Sequence, residues 1–258
     1  MNEILEAVIL GIVQGVVDPM PVSSSGHLVL MQHLFGIQER LTLSIFLHFG
    51  TFIAIGLAFR KDIAEIFQAR KDPGCRRFTL YILLGIIPAG LLGFGFKAFY
   101  EQAFRSTSLV GYMLLVTGTL LWASDRVTKK GRAMGQMRLS DSLIVGLAQA
   151  SALFPGLSRS GTTITGGLFK GLDRELAVKY SFLMSIPVVL GATLLETHDV
   201  YLNGLGEVTL AQIIVGTLTA VISGYVAIKL LMELVKRKKL SFFAVYCWIL
   251  GLMVIILT

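Results

Sequence analysis

Six long apolar stretches constrain the fold of this chain more than any other feature of its sequence. Each has about the length, roughly 20 residues, that an α-helix needs to cross the hydrocarbon core of a bilayer. The stretches are Leu41–Phe59, Phe78–Phe96, Thr107–Ala123, Leu176–Leu195, Val208–Ile228 and Phe242–Leu257. Charged residues make up only 15% of the 258 residues, whereas soluble domains carry about 25%. We therefore predict an all-α integral membrane protein with six transmembrane helices, formed by a single membrane domain over residues 1–258.

Two further apolar regions are interrupted by prolines and serines. Ile4–Val17 resumes after its break as Leu28–Phe35, and Leu139–Phe154 resumes after its break as Ile164–Leu172. Each half is too short to span a bilayer alone. Irregular backbone at membrane depth is tolerated only where it is buried in protein or lines a cavity. We predict two re-entrant pairs of half-helices, each with its polar break at the tip.

The two breaks align with each other without gaps when Gly146 is placed on Gly11. In this alignment, five residues of the first region fall on identical residues of the second: Gly11, Gln14, Ser23, Ser25 and Gly26 match Gly146, Gln149, Ser158, Ser160 and Gly161. Each half then contains one re-entrant pair and three spans, and because three is odd the second half must enter from the opposite side. The pattern predicts an inverted-topology repeat with halves at about 1–123 and 136–258, whose polar tips meet near the midplane.

The loops between the spans predict the orientation. Residues 60–77 carry six Lys/Arg and three acids, and residues 125–138 and 229–239 each carry five Lys/Arg and one acid. Residues 196–207 carry three acids and no Lys/Arg. By the positive-inside rule the three basic loops are cytoplasmic, in a multi-pass protein of the plasma membrane. The net charge of +7 lies in short runs beside apolar stretches, which predicts contact with membrane lipids rather than nucleic acid.

Three ionisable residues lie in the two breaks, namely Asp18, His27 and Arg159. Ionisable residues within a membrane are costly and indicate a functional site. Two half-helices that begin at the breaks aim their unpaired N–H groups at one place. Arg159 adds a planar fork that suits phosphate. This combination predicts a site for an anion with several oxygens, of which phosphate or diphosphate fits best.

The predicted catalytic residues are Ser24, His27, Asp18 and Arg159. Ser24 with His27 as its base, or His27 itself, is the candidate nucleophile. Asp18 is placed to orient His27, to act as a base, or to hold a divalent cation such as Mg²⁺ or Ca²⁺ as the metal ligand.

A larger set of residues is predicted to bind the substrate. Its members are Ser23, Ser25, Gly26, Ser158, Ser160, Gly161, Thr163, Gln14 and Gln149. Structural alternatives exist for several of them. Ser23 and Ser158 are suited to capping helices, the two glutamines to bonding between the tips, and Arg159 to a buried ion pair with Asp18.

The motifs at both breaks resemble the undecaprenyl-diphosphate phosphatase (bacitracin-resistance) family. The matching segments are Pro21–His27, Pro155–Gly161, Leu47–Thr51 and Tyr180–Pro187. The resemblance covers nearly the whole chain. It implies a homodimeric membrane phosphatase that converts a C55 polyprenyl diphosphate to the monophosphate and so recycles the lipid carrier for cell-wall glycan synthesis. It also implies that Arg159 binds the diphosphate, and that Ser24 or His27 is the nucleophile or acid/base.

The first break departs from the pattern of this family. The family places two glutamates four apart in the chain, where this sequence has Gln14 and Asp18. Gln14 cannot ionise, and Asp18 keeps the carboxylate on a side chain one methylene shorter. The rival hypothesis is a transporter or flippase for a polyprenyl phosphate or another anion, because inverted repeats with broken helices are also a transporter architecture.

Overall fold

The computed structural model describes residues 3–27, 41–67, 72–103, 106–127, 131–205 and 208–257. Within these ranges the chain is almost entirely helical, and none of these residues belongs to a β-strand. The named helices are α1 Glu3–Val17, α2 Leu41–Ala58, α3 Arg60–Phe67, α4 Pro73–Gly95, α5 Lys97–Ala103, α6 Thr107–Asp125, α7 Leu139–Ser151, α8 Arg159–Phe169, α9 Arg174–Asn203, α10 Leu210–Lys236 and α11 Ser241–Leu257. The predicted segment Leu28–Phe35 lies outside the described residues.

All six stretches that were predicted to span the membrane fall on helices, namely α2, α4, α6, α9, α10 and α11. Among the described residues, three helical segments are both long and apolar enough to cross a bilayer: Pro73–Gly93, Thr107–Asp125 and Leu210–Lys236. A fourth is added if Thr42–Ala58 and Arg60–Ile66 form one span, although the chain bends by 77° between them. These helices make the chain a helical membrane protein.

Large apolar side chains cover the outer faces of the long helices. On α4 they are Leu80, Leu83, Ile87 and Leu91, which are 51%, 54%, 49% and 70% exposed. On α10 they are Ile214, Leu218, Ile222 and Val226, all at least half exposed. Soluble monomers rarely expose rows of large apolar side chains along the faces of two long helices. The outer surface is therefore suited to lipid rather than water.

Side-chain caps set the starts of two long helices. At α4 the carboxylate of Asp72 accepts a hydrogen bond from the backbone N–H of Cys75 at 2.9 Å, with Pro73 in the first helical position. At α10 Thr209 and Gln212 cap each other reciprocally. Helix α4 consequently begins before the apolar stretch that starts at Phe78, so much of the basic interval 60–77 is helical rather than an open loop.

Glycines allow two pairs of helices to approach closely. Between α1 and α10, a Cβ atom on Gly11 would lie 2.5 Å from the carbonyl oxygen of Gly216. Between α7 and α4, a Cβ atom on Gly146 would collide with the carbonyl oxygen of Gly85. Gly146 is the residue aligned with Gly11 in the repeat, and Gly216 lies one helical turn before the residue aligned with Gly85. The two halves therefore use similar contacts, in which small residues bring helix backbones together.

An ionic cluster anchors the start of α7. The carboxylate of Asp141 is fully buried and accepts two hydrogen bonds from the guanidinium of Arg132, at 2.8 and 2.9 Å. The ammonium of Lys170 lies 3.9 Å from the same carboxylate. The hydrogen bond with Asp141 raises the pKa of Arg132. This cluster joins the segment before α7 to the end of α8.

We predict that Gly146→Ala destabilises the protein, because the added methyl group would meet the backbone of Gly85 rather than a movable side chain. Overpacking of this kind costs about 1–3 kcal/mol. Thermal unfolding of the purified protein in detergent should show a lower midpoint. Gly90→Ala, on the same helix as Gly85, is the control, because nothing lies within 4 Å of the position of its Cβ atom. Equal midpoints for the two variants would contradict the close packing.

Candidate functional site

Both sequence breaks are irregular turns between helices. Helix α1 ends at Val17, and the chain is helical again from Ser24 to His27. Helix α7 ends at Ser151, and α8 begins at Arg159. Both turns contain proline, whose backbone nitrogen cannot donate a hydrogen bond. We call residues 18–27 the first tip and residues 152–163 the second tip.

The two tips share the same internal hydrogen bonds. The hydroxyl of Ser23 accepts from the backbone N–H of Gly26 at 3.2 Å, and the hydroxyl of Ser158 accepts from that of Gly161 at 3.1 Å. A neighbouring serine hydroxyl lies 3.3 Å from each of these caps, on Ser25 in the first tip and on Ser160 in the second. The alternative of Ser23 and Ser158 as helix caps is thus confirmed.

The backbone of the first tip is strained where that of the second is not. Ser23 has a φ of 67°, in the left-handed region that residues other than glycine rarely adopt. Ser158, at the matching position, has a φ of −67°. Such strain costs of order 1–3 kcal/mol and is concentrated at functional sites.

The two tips contact each other directly. The hydroxyl of Ser160 donates to the carbonyl oxygen of Met20 at 3.1 Å, which closes a chain of bonds from Gly161 through Ser158. A Cβ atom on Gly26 would lie 3.2 Å from the Cα atom of Gly156. The sequence-based prediction that the tips meet is therefore confirmed for the described residues.

Helices α6 and α11 hold the tips from the side. The hydroxyl of Thr117 on α6 lies 3.1 Å from the carbonyl oxygen of Gly156 and accepts from the backbone N–H of Ser158 at 3.1 Å. The thiol of Cys247 on α11 lies 3.8 Å from the carbonyl oxygen of Pro21. Sequence analysis missed both residues, because each is one small polar group within an apolar span.

Asp18 connects the reactive groups of the two tips. Its Oδ1 accepts a hydrogen bond from the hydroxyl of Ser24 at 3.3 Å. Its Oδ2 lies 3.7 Å from Nη2 of Arg159, in an ion pair whose side chains are 10% and 22% exposed. The distance exceeds that of a charge-assisted hydrogen bond, so the guanidinium keeps donors for another anion.

His27 makes its hydrogen bonds outside this pair. Its Nδ1 lies 2.8 Å from the carbonyl oxygen of Ser23, and its Nε2 lies 2.6 Å from the hydroxyl of Tyr246 on α11. The rings of His27 and Tyr246 are parallel within 3°, with centroids 5.7 Å apart. Neither ring nitrogen bonds to Asp18 or Ser24. Of the roles predicted for Asp18, the geometry favours a base for Ser24 over an orienting group for His27.

Buried amide atoms of two glutamines lack hydrogen-bond partners among the described residues. These atoms are Nε2 of Gln14 and both Nε2 and Oε1 of Gln149. The alternative in which the two glutamines bond to each other between the tips is therefore wrong. Unpaired buried amides are costly, which makes these side chains available to a ligand.

Thr163 differs from the other residues predicted to bind the substrate. Its side chain is fully buried, and its hydroxyl bonds to the carbonyl oxygen of Arg159 at 2.7 Å and to the hydroxyl of Ser181 at 2.5 Å. The bond to Ser181 connects α8 to α9. Thr163 therefore contributes to the support of the second tip from within the core.

The chemistry available to a metal ion at the tips is limited. The described part of the chain contains no group of three or more His, Cys, Asp or Glu side chains that could hold a metal ion. Mg²⁺ commonly binds one or two carboxylates together with the phosphates of a substrate. Asp18 fits only this kind of shared site, in which most of the ligands come from the bound phosphate and from water.

The chain matches the family model described as bacitracin resistance protein BacA over residues 7–253. It is similar to the undecaprenyl-diphosphatase of Halothermothrix orenii, with 46% identity over 256 residues that cover 99% of this chain and 98% of that protein. The undecaprenyl-diphosphatase of Alkaliphilus metalliredigens is 42% identical over 267 residues, which cover 97% of each chain. That of Methanobrevibacter smithii is 40% identical over 270 residues, covering 98% of this chain and 96% of that protein. Both tips lie within the matched ranges.

We predict that Thr117→Val destabilises the protein although the side chain keeps its shape. The substitution leaves the backbone N–H of Ser158 without its partner in a buried position, which costs about 1–3 kcal/mol. The midpoint of thermal unfolding in detergent should fall. Thr119→Val, an exposed position on the same helix, should change the midpoint much less. Similar effects at both positions would show that Thr117 does not support the second tip.

Proposed function

Because the chain belongs to the bacitracin resistance protein BacA family, it hydrolyses undecaprenyl diphosphate, and we propose that the reaction takes place where the two tips meet. The monophosphate product would return to use as the lipid carrier for cell-wall glycans. The observation that carries the assignment of the site is the position of Asp18. Its carboxylate contacts the hydroxyl of Ser24 on one side and the guanidinium of Arg159 on the other.

Ser24 is the nucleophile in this mechanism, with Asp18 as its base. The Ser24 hydroxyl gives its proton to Asp18 while its oxygen forms a bond to the terminal phosphorus. The bridging P–O bond breaks, and undecaprenyl phosphate leaves. The neighbouring serine hydroxyls are less suited to attack, because that of Ser23 caps the helix and interacts with Ser25.

His27 acts in the second half of the reaction. Ser24 and His27 lie at positions i and i+3 of one helical turn, so their side chains project from neighbouring positions on one face. A water molecule gives its proton to Nε2 of His27 as its oxygen attacks the phosphorus of the phosphoserine. The P–O bond to Ser24 breaks, and Asp18 returns the proton to the serine oxygen. Inorganic phosphate leaves, and His27 loses its proton to phosphate or solvent.

Arg159 binds the diphosphate and stabilises the charge of the transition state. On binding, its donors exchange the loose 3.7 Å pair with Asp18 for the diphosphate oxygens. The first turns of the two tip helices add backbone N–H groups from opposite sides. Ser25 is a further hydrogen-bond donor to the diphosphate. Its counterpart Ser160 donates to the carbonyl oxygen of Met20, whereas among the described residues Ser25 contacts only the hydroxyl of Ser23. The unpaired amides of Gln14 and Gln149 supply further donors.

A divalent cation, Mg²⁺ or Ca²⁺, would be held by Asp18 together with oxygens of the diphosphate. Such an ion would neutralise charge on the phosphates when bound. With such an ion bound, Ser24, His27 and Arg159 would keep the roles given above, and Asp18 would remain the base.

The membrane arrangement that fits this site has six spans and two re-entrant pairs in an inverted-topology repeat, with the homodimer that the family resemblance implies. The similar glycine contacts and the matched hydrogen bonds of the tips support the repeat. The basic loops 60–77, 125–138 and 229–239 are cytoplasmic in this arrangement, in the plasma membrane. The isoprenoid tail lies against apolar helix surfaces while the diphosphate occupies the tips.

We predict that Ser24→Ala, Asp18→Asn and Arg159→Ala each lower the release of phosphate from undecaprenyl diphosphate by the protein purified in detergent. Loss of one group that stabilises the transition state costs about 10²–10³-fold in rate, and loss of the nucleophile costs more. Ser151→Ala, at an exposed position at the end of α7, is the matched control and should retain its rate. A Ser24→Ala variant as active as the control would overturn the assignment of the nucleophile.

Reconstitution of the purified protein into vesicles distinguishes hydrolysis from transport. In reconstituted vesicles the protein should release phosphate, whereas passage of an intact polyprenyl phosphate or diphosphate without cleavage would favour the transporter hypothesis.

We predict that chelation of divalent cations with EDTA lowers the rate of phosphate release, and that Mg²⁺ or Ca²⁺ restores it. Asp18→Asn should retain too little activity to respond, because it lacks the single carboxylate of the proposed site. Arg159→Lys is the matched comparison, since its remaining activity should still depend on the cation. A wild-type rate that is unchanged by EDTA would contradict a role for the ion.

A further inference from the structure

The hydrogen bonds of His27 define which of its nitrogens carries the proton. A carbonyl oxygen can only accept, so the 2.8 Å contact with the carbonyl of Ser23 places a proton on Nδ1. In the neutral ring Nε2 is then unprotonated and accepts from the hydroxyl of Tyr246 at 2.6 Å. The nitrogen that the proposed mechanism uses as a base is therefore the one that contacts Tyr246.

A comparison of the two tips shows which of the two hydrogen bonds of His27 also occurs in the second tip. In the alignment that places Gly146 on Gly11, the residue matched to His27 is Thr162, whose hydroxyl donates to the carbonyl oxygen of Ser158 at 2.9 Å. Ser158 in turn matches Ser23. The bond from Nδ1 of His27 thus has a counterpart in the second tip, where a threonine suffices to form it.

The contact with Tyr246 has no such counterpart. Thr117 and Cys247 hold the two tips at matching carbonyl groups, and Val116 and Tyr246 are the residues that immediately precede them. The side chains of Tyr246 and Val116 are 43% and 42% exposed. Val116 carries no polar group that could bond to Thr162. A tyrosine hydroxyl therefore contacts the first tip, where it bonds to His27, and the corresponding residue beside the second tip offers no such group.

We propose that Tyr246 is a positioning residue for hydrolysis, which acts by holding Nε2 of His27 in the unprotonated form and in a fixed orientation. The inference rests on the proposed role of His27 as a base. The two rings are parallel within 3° and meet edge to edge through the hydroxyl. The hydrogen bond therefore restrains the rotation of the imidazole about its Cβ–Cγ bond.

The test compares wild type, Tyr246→Phe, His27→Gln and the double variant as purified full-length proteins. Tyr246→Phe keeps the ring and removes the hydroxyl, so kcat for phosphate release should fall about threefold to tenfold, the size expected for one neutral hydrogen bond, while KM stays nearly constant. In the His27→Gln background the same substitution should have little further effect, because the two residues act through one contact. Tyr112→Phe, at an exposed position on α6, should leave kcat unchanged.

A spectroscopic measurement tests the contact without activity. In protein labelled with ¹⁵N-histidine, with the His27 signals assigned from His27→Gln, wild type should show a protonated Nδ1 and a hydrogen-bonded, unprotonated Nε2. Tyr246→Phe should shift the Nε2 resonance and leave that of Nδ1 nearly in place.

Three results would overturn the inference about Tyr246. They are an unchanged kcat in Tyr246→Phe, an equal loss of kcat in the His27→Gln background, and an unchanged Nε2 resonance. Failure of wild type to release phosphate would instead overturn the proposed function, and the labelled spectra would still report on the contact.

Discussion

The contact between the two tips satisfies backbone groups that the breaks in the helices would otherwise leave unpaired. A helix that breaks within a bilayer leaves backbone groups that lipid cannot satisfy, and each unpaired group costs several kcal/mol. Here the tips satisfy part of each other's need, because the carbonyl of Met20 receives the hydroxyl of Ser160. Thr117 and Cys247 serve the carbonyls of Gly156 and Pro21. Irregular backbone that is paired in this way leaves the tips rigid enough to position chemical groups.

The two tips share their backbone hydrogen bonds but carry different side chains, so corresponding positions present different chemical groups. The serine caps and glycines occur at both tips with nearly equal distances. The position of Ser24 in the first tip is taken by Arg159 in the second, so a hydroxyl and a guanidinium stand at corresponding places. Asp18 contacts both. The matching backbone of the two tips therefore brings a serine hydroxyl and a guanidinium to the same carboxylate.

Much of the fold could be predicted from the sequence, because apolar length and the internal alignment of the two breaks are visible without coordinates. All six predicted stretches are helical, and the second half-helix begins after the break as expected. The helix boundaries were less accurate, since caps such as Asp72 lie outside the apolar pattern and start α4 earlier than hydropathy indicates. The number of spans and the inverted topology stay predictions.

The site was predicted by residue type but not by contact. Asp18, Ser24 and Arg159 do come together, whereas His27 bonds to Tyr246 rather than to the serine or the aspartate. No local pattern relates positions 27 and 246, which lie near opposite ends of the chain, and Tyr246 looks in the sequence like one more aromatic residue in an apolar helix. Their proximity depends on the packing of α11 against the first tip, which only the three-dimensional structure provides.

The proposed hydrolysis proceeds through a phosphoryl group on Ser24, which can be trapped during turnover. The protein would be mixed with undecaprenyl diphosphate labelled in its terminal phosphate, quenched with acid during turnover, digested and examined by mass spectrometry. We expect the label on Ser24, in a peptide that becomes unlabelled once the substrate is exhausted. Label on His27, or continued hydrolysis with no labelled serine at any quench time, would contradict it.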